Sequence, residues 1–223
     1  MSAEEDVEKL FRDMVSDQND RSNHSPVNRL SVSGLSFGIK YEIERKLGVK
    51  TETFKDQLNM FKGTALHVHV QNLAKSLGYS PEYRCYYSIP FEWNRLKFRE
   101  IILAGSIDLI HWERREIIEL KSSQYSDKIE QYHKIQLAAY VNMMKFKTGN
   151  EFTGLVVKFG GKDLILEELK SNESSELWDE ILNRARSCAS ELDNLVDETV
   201  SVPQDGDGPK TDSKNDLYFY DEN

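Results

Sequence analysis

Residues 100–123, EIILAGSIDLIHWERREIIELKSS, hold two apolar, β-branched runs joined by a charged turn. Such runs read as paired strands. Three charged side chains, Asp108, Glu119 and Lys121, lie inside them. Burying an unpaired charge is costly. The hairpin must therefore turn these residues to solvent or bring compensating groups to them. That choice constrains everything packed around it.

With the turn near Glu113–Arg114, position 108 falls opposite position 119. Cross-strand neighbours have Cβ atoms about 5 Å apart. Glu119 and Lys121 share a strand face with Ile117, while Ile118 and Leu120 point the other way. Two carboxylates this close repel each other and raise a pKa. A divalent cation removes the conflict, and Mg²⁺ takes carboxylate oxygens while keeping waters and accepting phosphate oxygens. A lysine beside it can hold or activate a water, the equipment for metal-assisted phosphodiester hydrolysis. A hairpin with one solvated, ion-paired face is the alternative reading of the same residues.

The flanking segments predict helices. Residues 4–16 have helical spacing, and the polar stretch 16–28 reads as a linker. SVSGLSFGIKYEIERKLGV, 31–49, starts with capping serines and stops at Gly48. FKGTALHVHVQNLAKSLGY, 61–79, carries the stripe Leu66, Val70, Leu73 and Leu77, with Gly78 as its stop. EYRCYYSIPFEW supplies another strand before the hairpin. Residues 126–147 form a long helix capped by Ser126, residues 152–169 a second hairpin around Gly160–Gly161, and residues 174–196 a closing amphipathic helix. This order predicts an α/β (mixed α+β) chain with a central mixed sheet flanked by helices. Residues 1–30 read as an acidic helix and linker, 31–200 as the folded domain, and 201–223 as an acidic, disordered tail.

Two further clusters bear on the charged hairpin. GTALH, Gly63 to His67, lies in the helix upstream. His67 reads alone as a helix-face histidine, yet imidazole can complete a site made by two carboxylates. His69 points elsewhere, about 200° around the helix. QLAAY, Gln136 to Tyr140, puts two polar groups four residues apart on one helix face, which Lys128 and Tyr132 extend. This is an ordinary polar stripe, or a row of donors and a ring along a nucleic-acid backbone. Trp93, Trp112 and Trp178 read as packing residues, and His111 and His133 as structural or surface residues.

The succession G-x-x-x-H, G-x-x-D, E-x-K and Q-x-x-x-Y resembles the RecB-type branch of the PD-(D/E)XK nucleases over about residues 31–170. That branch includes the RecB and AddAB nuclease domains, CRISPR-associated adaptation nucleases and mitochondrial single-strand exonucleases. The resemblance implies a restriction-endonuclease-like core. It implies that His67, Asp108, Glu119 and the Leu120 carbonyl bind Mg²⁺ or Mn²⁺. Lys121 would position or deprotonate the attacking water, and Gln136 and Tyr140 would organise the site and touch DNA. The expected activity is a metal-dependent deoxyribonuclease, an exonuclease on single-stranded DNA or DNA ends, in repair, recombination, replication or viral genome processing. A catalytically silent DNA-binding or protein-interaction member of the same fold is the alternative. Many relatives hold an iron–sulfur cluster on four cysteines. Here residues 31–49 have none and only Cys188 lies near the C-terminus, so no cluster is expected.

The two cysteines, Cys85 and Cys188, fit a reducing compartment without disulfides. With no signal peptide and no apolar run of membrane-spanning length, an intracellular location without membrane contact is expected, the host cytoplasm if the chain is viral. The net charge of −9 is concentrated at the ends, −5 in residues 1–20 and −4 in 201–223. The middle is neutral and can still carry a local basic groove for DNA. The tail's DLYFYDEN could dock on a protein partner.

Overall fold

The structure, a computed structural model, describes residues 25–49, 54–122, 128–159 and 164–195, with side chains from residue 62 onward in the second segment. The expected helix at 4–16, its linker up to residue 24, Ser126, the Gly160–Gly161 turn and the tail lie outside the described residues.

Among the described residues six strands form one mixed sheet: β1 (Arg29–Ser31), β2 (Ser80–Pro90), β3 (Glu100–His111), β4 (Glu116–Ser122), β5 (Thr153–Phe159) and β6 (Leu164–Leu169). Among the described residues five helices flank it: α1 (Val32–Phe37), α2 (Ile39–Lys46), α3 (Phe54–Lys75), α4 (Gln131–Thr148) and α5 (Ser171–Leu195). The expected α/β class is observed. β1 and β3, and β4 and β5, pair in parallel; the other pairs are antiparallel. No helix among the described residues is long and apolar enough to cross a membrane.

β2 covers one edge of β3 from Glu100 to Ile110. β1, on Ile102–Ala104, and β4, on Leu109–His111, therefore share the other edge. Between them, residues 105–108 of β3 have no strand on that side among the described residues. This window places the site.

The larger apolar cluster joins the sheet to α1, α4 and α5. A smaller one, Ala74, Leu109 and Leu120, joins it to α3 on the opposite face. Along β3 the large cluster takes Ile101, Leu103 and Ile107, but then Ile110, while Leu109 belongs to the small one. The side-chain alternation, which is strictly two-residue in a regular strand, therefore slips by one at Asp108. The facing residue on β2 is Glu82, at φ 54. Register on either side of this pair is unbroken, so no residue is inserted.

Three local expectations are corrected. The helix over 31–49 is two helices, because Gly38 at φ 142 breaks it; Ser31 does cap the first, accepting from Gly34 N. The stripe Leu66, Val70, Leu73 and Leu77 is inward-facing in its first half alone: Leu66 and Val70 are half-buried, with Val70 against the Ala74 cluster. Leu73 and Leu77 are exposed, whereas Gln71 and Ala74 are buried. The sheet-facing side of α3 thus combines apolar Val70 and Ala74 with polar His67 and Gln71. The helix at 126–147 starts at Gln131, with residues 128–130 non-helical, because Glu130 and His133 form a reciprocal capping box.

Candidate active site

β4 presents Glu119 and Lys121 on the side of α4, with Ile117 in the large cluster and Ile118 and Leu120 on the α3 side. The β3–β4 ladder runs from His111–Glu116 to Leu109–Ile118 and stops. One step further, Asp108 stands across from Glu119. There the strands part, and the Asp108 carboxylate fills the gap: Oδ2 accepts the Leu120 N–H at 2.7 Å. A residue's N–H and C=O point to the same strand edge, so the Leu120 carbonyl faces β3 as well.

Asp108 and Glu119 are buried, at 8% and 2% exposure. Lys121 Nζ donates to Glu119 Oε1 at 2.6 Å and to Gln136 Oε1 at 2.9 Å. Gln136 Nε2 in turn donates to the Tyr140 hydroxyl at 3.2 Å. Tyr140 fits because Gly105 has no side chain: a Cβ there would stand 2.4 Å from Tyr140 Cε1. From the other side, α3 brings His67 Nδ1 to 3.7 Å from Asp108 Oδ1. Gly63 allows the approach, since a Cβ on it would meet Ser122 Oγ at 2.8 Å.

Burial governs the protonation of this cluster. It pushes the Glu119 carboxyl up to about 8, against the pull of Lys121. It raises Asp108 too, against His67, Lys121 and the Leu120 N–H. It lowers His67 despite Asp108 nearby. The His67–Asp108 contact is therefore not an ion pair, and His67 is neutral, the form that ligates metals. Burial also keeps the Tyr140 phenol neutral.

Among the described residues, no three His, Cys, Asp or Glu side chains close around one point as a ready-made cage. Mg²⁺ does not require one; it is usually held by one or two carboxylates and its own waters. Glu119 Oε2 is buried and has no hydrogen-bond partner among the described residues. Leaving such an acceptor unmade costs about 1–3 kcal/mol, and a proton or a cation would satisfy it. Hard oxygens on Asp108, Glu119 and the Leu120 carbonyl, with a neutral imidazole beside them, fit Mg²⁺ or Mn²⁺.

His67 thus meets Asp108, whose carboxylate takes the Leu120 N–H, and Glu119, Lys121, Gln136 and Tyr140 form a hydrogen-bonded chain beside them. Tyr132 lies on α4 one turn before Gln136, its ring 4.5 Å from that of Phe37. Lys128 does not extend the Gln136–Tyr140 face, because it precedes the helix; its carbonyl accepts from buried Lys158. Trp93 and Trp178 are core residues and Trp112 is a rim residue, edge-on to Tyr83. His111 is buried, edge-on to Tyr79, and accepts from Arg114 N at 3.3 Å. His133 belongs to the capping box.

Two neighbours escaped the sequence reading. Glu82 lies across from Asp108 and accepts from Gln71 Nε2 and Ser106 Oγ, each at 2.7 Å. Gln71 also reaches the Asp108 carbonyl at 3.4 Å. Gln71 sits four residues after His67, a same-face spacing visible in the sequence. Glu82 follows only from strand pairing.

No family model matches the chain, and no curated protein matches it. Among solved structures it is similar in fold to the crystal structure of SSO0001, at TM-score 0.56 and 18% identity, over 79% of this chain and 85% of that one. An alkaline exonuclease (LHK-Exo) from Laribacter hongkongensis also matches, at TM-score 0.45 and 12% identity, over 79% of this chain and 95% of that one.

Proposed function

We propose that this chain is a Mg²⁺- or Mn²⁺-dependent deoxyribonuclease, acting as an exonuclease on single-stranded DNA or DNA ends, with its activity in residues 31–200. The observation that carries the reading is Lys121. Its ammonium is fixed between Glu119 and Gln136 beside Asp108 and the orphaned Glu119 oxygen.

Asp108, Glu119, the Leu120 carbonyl and His67 would hold the cation. Such a cation, when bound, polarises a phosphoryl oxygen and lowers the pKa of a coordinated water. An ammonium has three donors. Two are used on Glu119 and Gln136, and the third is left to hold the attacking water or a phosphate oxygen. Gln136, itself braced by Tyr140, keeps Nζ from swinging away. Burial of the cluster strengthens each of these electrostatic contacts relative to water.

Among the described residues no three metal-ligating side chains cluster, which favours one other reading, a catalytically silent DNA-binding protein of the same fold. End-labelled single- and double-stranded DNA, linear and circular, incubated with Mg²⁺, Mn²⁺ or EDTA, separates the two. The nuclease reading expects linear single strands to be degraded with either cation, circular ones to survive, and neither to change in EDTA. Degradation in EDTA, or none with either cation, would overturn it.

A further inference from the structure

The α1–α2 elbow sets an aromatic group beside the site that the proposed chemistry does not use. α1 ends at Phe37, Gly38 at φ 142 turns the chain, and Tyr41 follows in the first turn of α2. The Phe37 ring lies 5.1 Å from that of Tyr41 and 4.5 Å from that of Tyr132 on α4. Gln136, which holds Lys121, is one turn further along α4 on the same side as Tyr132. Burial and Glu130 raise the Tyr132 phenol and the Lys121 charge opposes them, so Tyr132 is within reach of that ammonium. The row Lys121, Gln136, Tyr132, Phe37 therefore leads outward from the candidate active site.

Phe37 is 53% exposed, while Tyr41 and Tyr132 are half-buried behind it. An isolated exposed apolar side chain is ordinary; one braced by two tyrosines at the rim of a site is a built feature. Rings that pack the interior meet edge to face here: Tyr79 and His111 at 88°, Tyr87 and Trp178 at 76°, Phe91 and Trp93 at 76°. Phe37 is inclined by only 32° to Tyr41 and 31° to Tyr132. Its backing is thus nearer to offset stacking, the arrangement that aromatic faces also adopt with planar ligands. Phe146, 43% exposed, is tilted against Tyr87 and Trp178 in a similar way, but it stands about 15 Å along α4 from Gln136. Only Phe37 of this pair borders the site.

We propose that Phe37, backed by Tyr41 and Tyr132, is a stacking platform for one nucleobase of the strand held at the site, and that it selects unpaired strands. Every base has a π face, so the contact is indifferent to sequence. Inside a duplex both faces of a base are taken by its neighbours, and only an unpaired or terminal base can turn onto Phe37. Phe37 lies beyond Gln136 from Lys121, so the stacked base belongs to a nucleotide beside the phosphate that Lys121 faces. That placement rests on the nuclease reading; the stacking does not.

The test is binding of labelled oligodeoxythymidylate in EDTA over a salt series, beside a strand of equal length whose residues are all abasic. The proteins are wild type, Phe37→Ala, Phe37→Trp and, as the exposed phenylalanine at the far end of α4, Phe146→Ala, each with its melting curve. Phe37→Ala should weaken binding of oligodeoxythymidylate about fivefold to a hundredfold, the range for one base stacked on one ring. Phe37→Trp should bind at least as tightly as wild type, and Phe146→Ala like wild type. The log–log salt slope should not change, because a stacked base releases no counterion. On the abasic strand wild type should lose affinity and Phe37→Ala should equal it. Wild type that binds both strands alike, a correctly melting Phe37→Ala that binds oligodeoxythymidylate like wild type, or an equal loss in Phe146→Ala would overturn the platform. Hydrolysis by wild type in Mg²⁺ is read separately. Cleavage with unaltered binding by Phe37→Ala removes the platform alone, and weakened binding by Phe37→Ala without any cleavage by wild type removes the nuclease reading alone.

Discussion

The carboxylate of Asp108 accepts the backbone N–H of Leu120 at 2.7 Å, at the place where the β3–β4 ladder stops. A side chain thus replaces a strand carbonyl, so Asp108 supports the fold as well as the proposed chemistry. Asp108→Ala leaves a buried N–H without an acceptor and should cost about 1–3 kcal/mol. Asp108→Asn keeps an acceptor oxygen and should be distinctly more stable than the alanine variant. Urea unfolding of both variants decides the point, and equal stability would contradict the bridging role.

Gly105→Ala puts a methyl group 2.4 Å from Tyr140 Cε1. Overpacking of this kind costs about 1–3 kcal/mol. Displaced Tyr140 would also loosen the hydrogen bond that braces Gln136 and, through it, Lys121. Hydrolysis should fall along with stability. Combining Gly105→Ala with Tyr140→Ala should cost less than the sum of the two, because the clash is gone. Strict additivity in unfolding free energies would refute the contact.

Folded Glu119 keeps its proton up to about 8, whereas the ordinary value is 4.5. Between those values the native state binds more protons than the unfolded chain, so this group's contribution to stability falls as pH rises and is fully lost above about 8. Buried Asp108, also raised, acts in the same direction. His67 and His133, both lowered from 6.5, act oppositely, but only below that value. From pH 6.5 to 8, without divalent cations, wild type should therefore lose stability while Glu119→Gln changes less. Added Mn²⁺ should raise the melting temperature of wild type more at pH 8 than at 6.5. Parallel curves for the two proteins would contradict the buried-carboxyl account.

Much of this was legible in sequence, for local reasons. The turn at 112–115 and the placement of Asp108 across from Glu119 follow from two β-branched runs separated by a short charged stretch. The opposite facing of Leu120 and Lys121 follows from strand alternation. What failed was non-local. α3 looked amphipathic through Leu73 and Leu77, but both are exposed, and its inner face carries Gln71 and Ala74 instead. Lys128 dropped off the helix because Glu130 and His133 cap each other. Glu82 is placed by a strand partner 26 residues away and by a pleat slip that no periodicity announces.

Gly34 is fixed by a buried charge. A Cβ there would lie 1.9 Å from Glu42 Oε2, and Glu42 holds both Arg45 and, at 2.7 Å, the Ser31 N–H. Gly34→Ala should therefore disrupt a buried pair, a change worth about 3–5 kcal/mol. Calorimetry should show a clearly lower melting temperature. A melting temperature unchanged from wild type would mean that the α1–α2 elbow tolerates the displacement.

The central claim is that Lys121, held by Glu119 and Gln136, acts at the scissile phosphate. It is tested most directly by the hydrolysis rate of end-labelled single-stranded DNA in Mg²⁺ for wild type and Lys121→Ala, with matched melting curves. A positioned proton-transfer group is worth about 10²–10⁴-fold in rate, so the variant should be slower by that order while remaining folded. A folded Lys121→Ala protein that cleaves as fast as wild type would contradict the account.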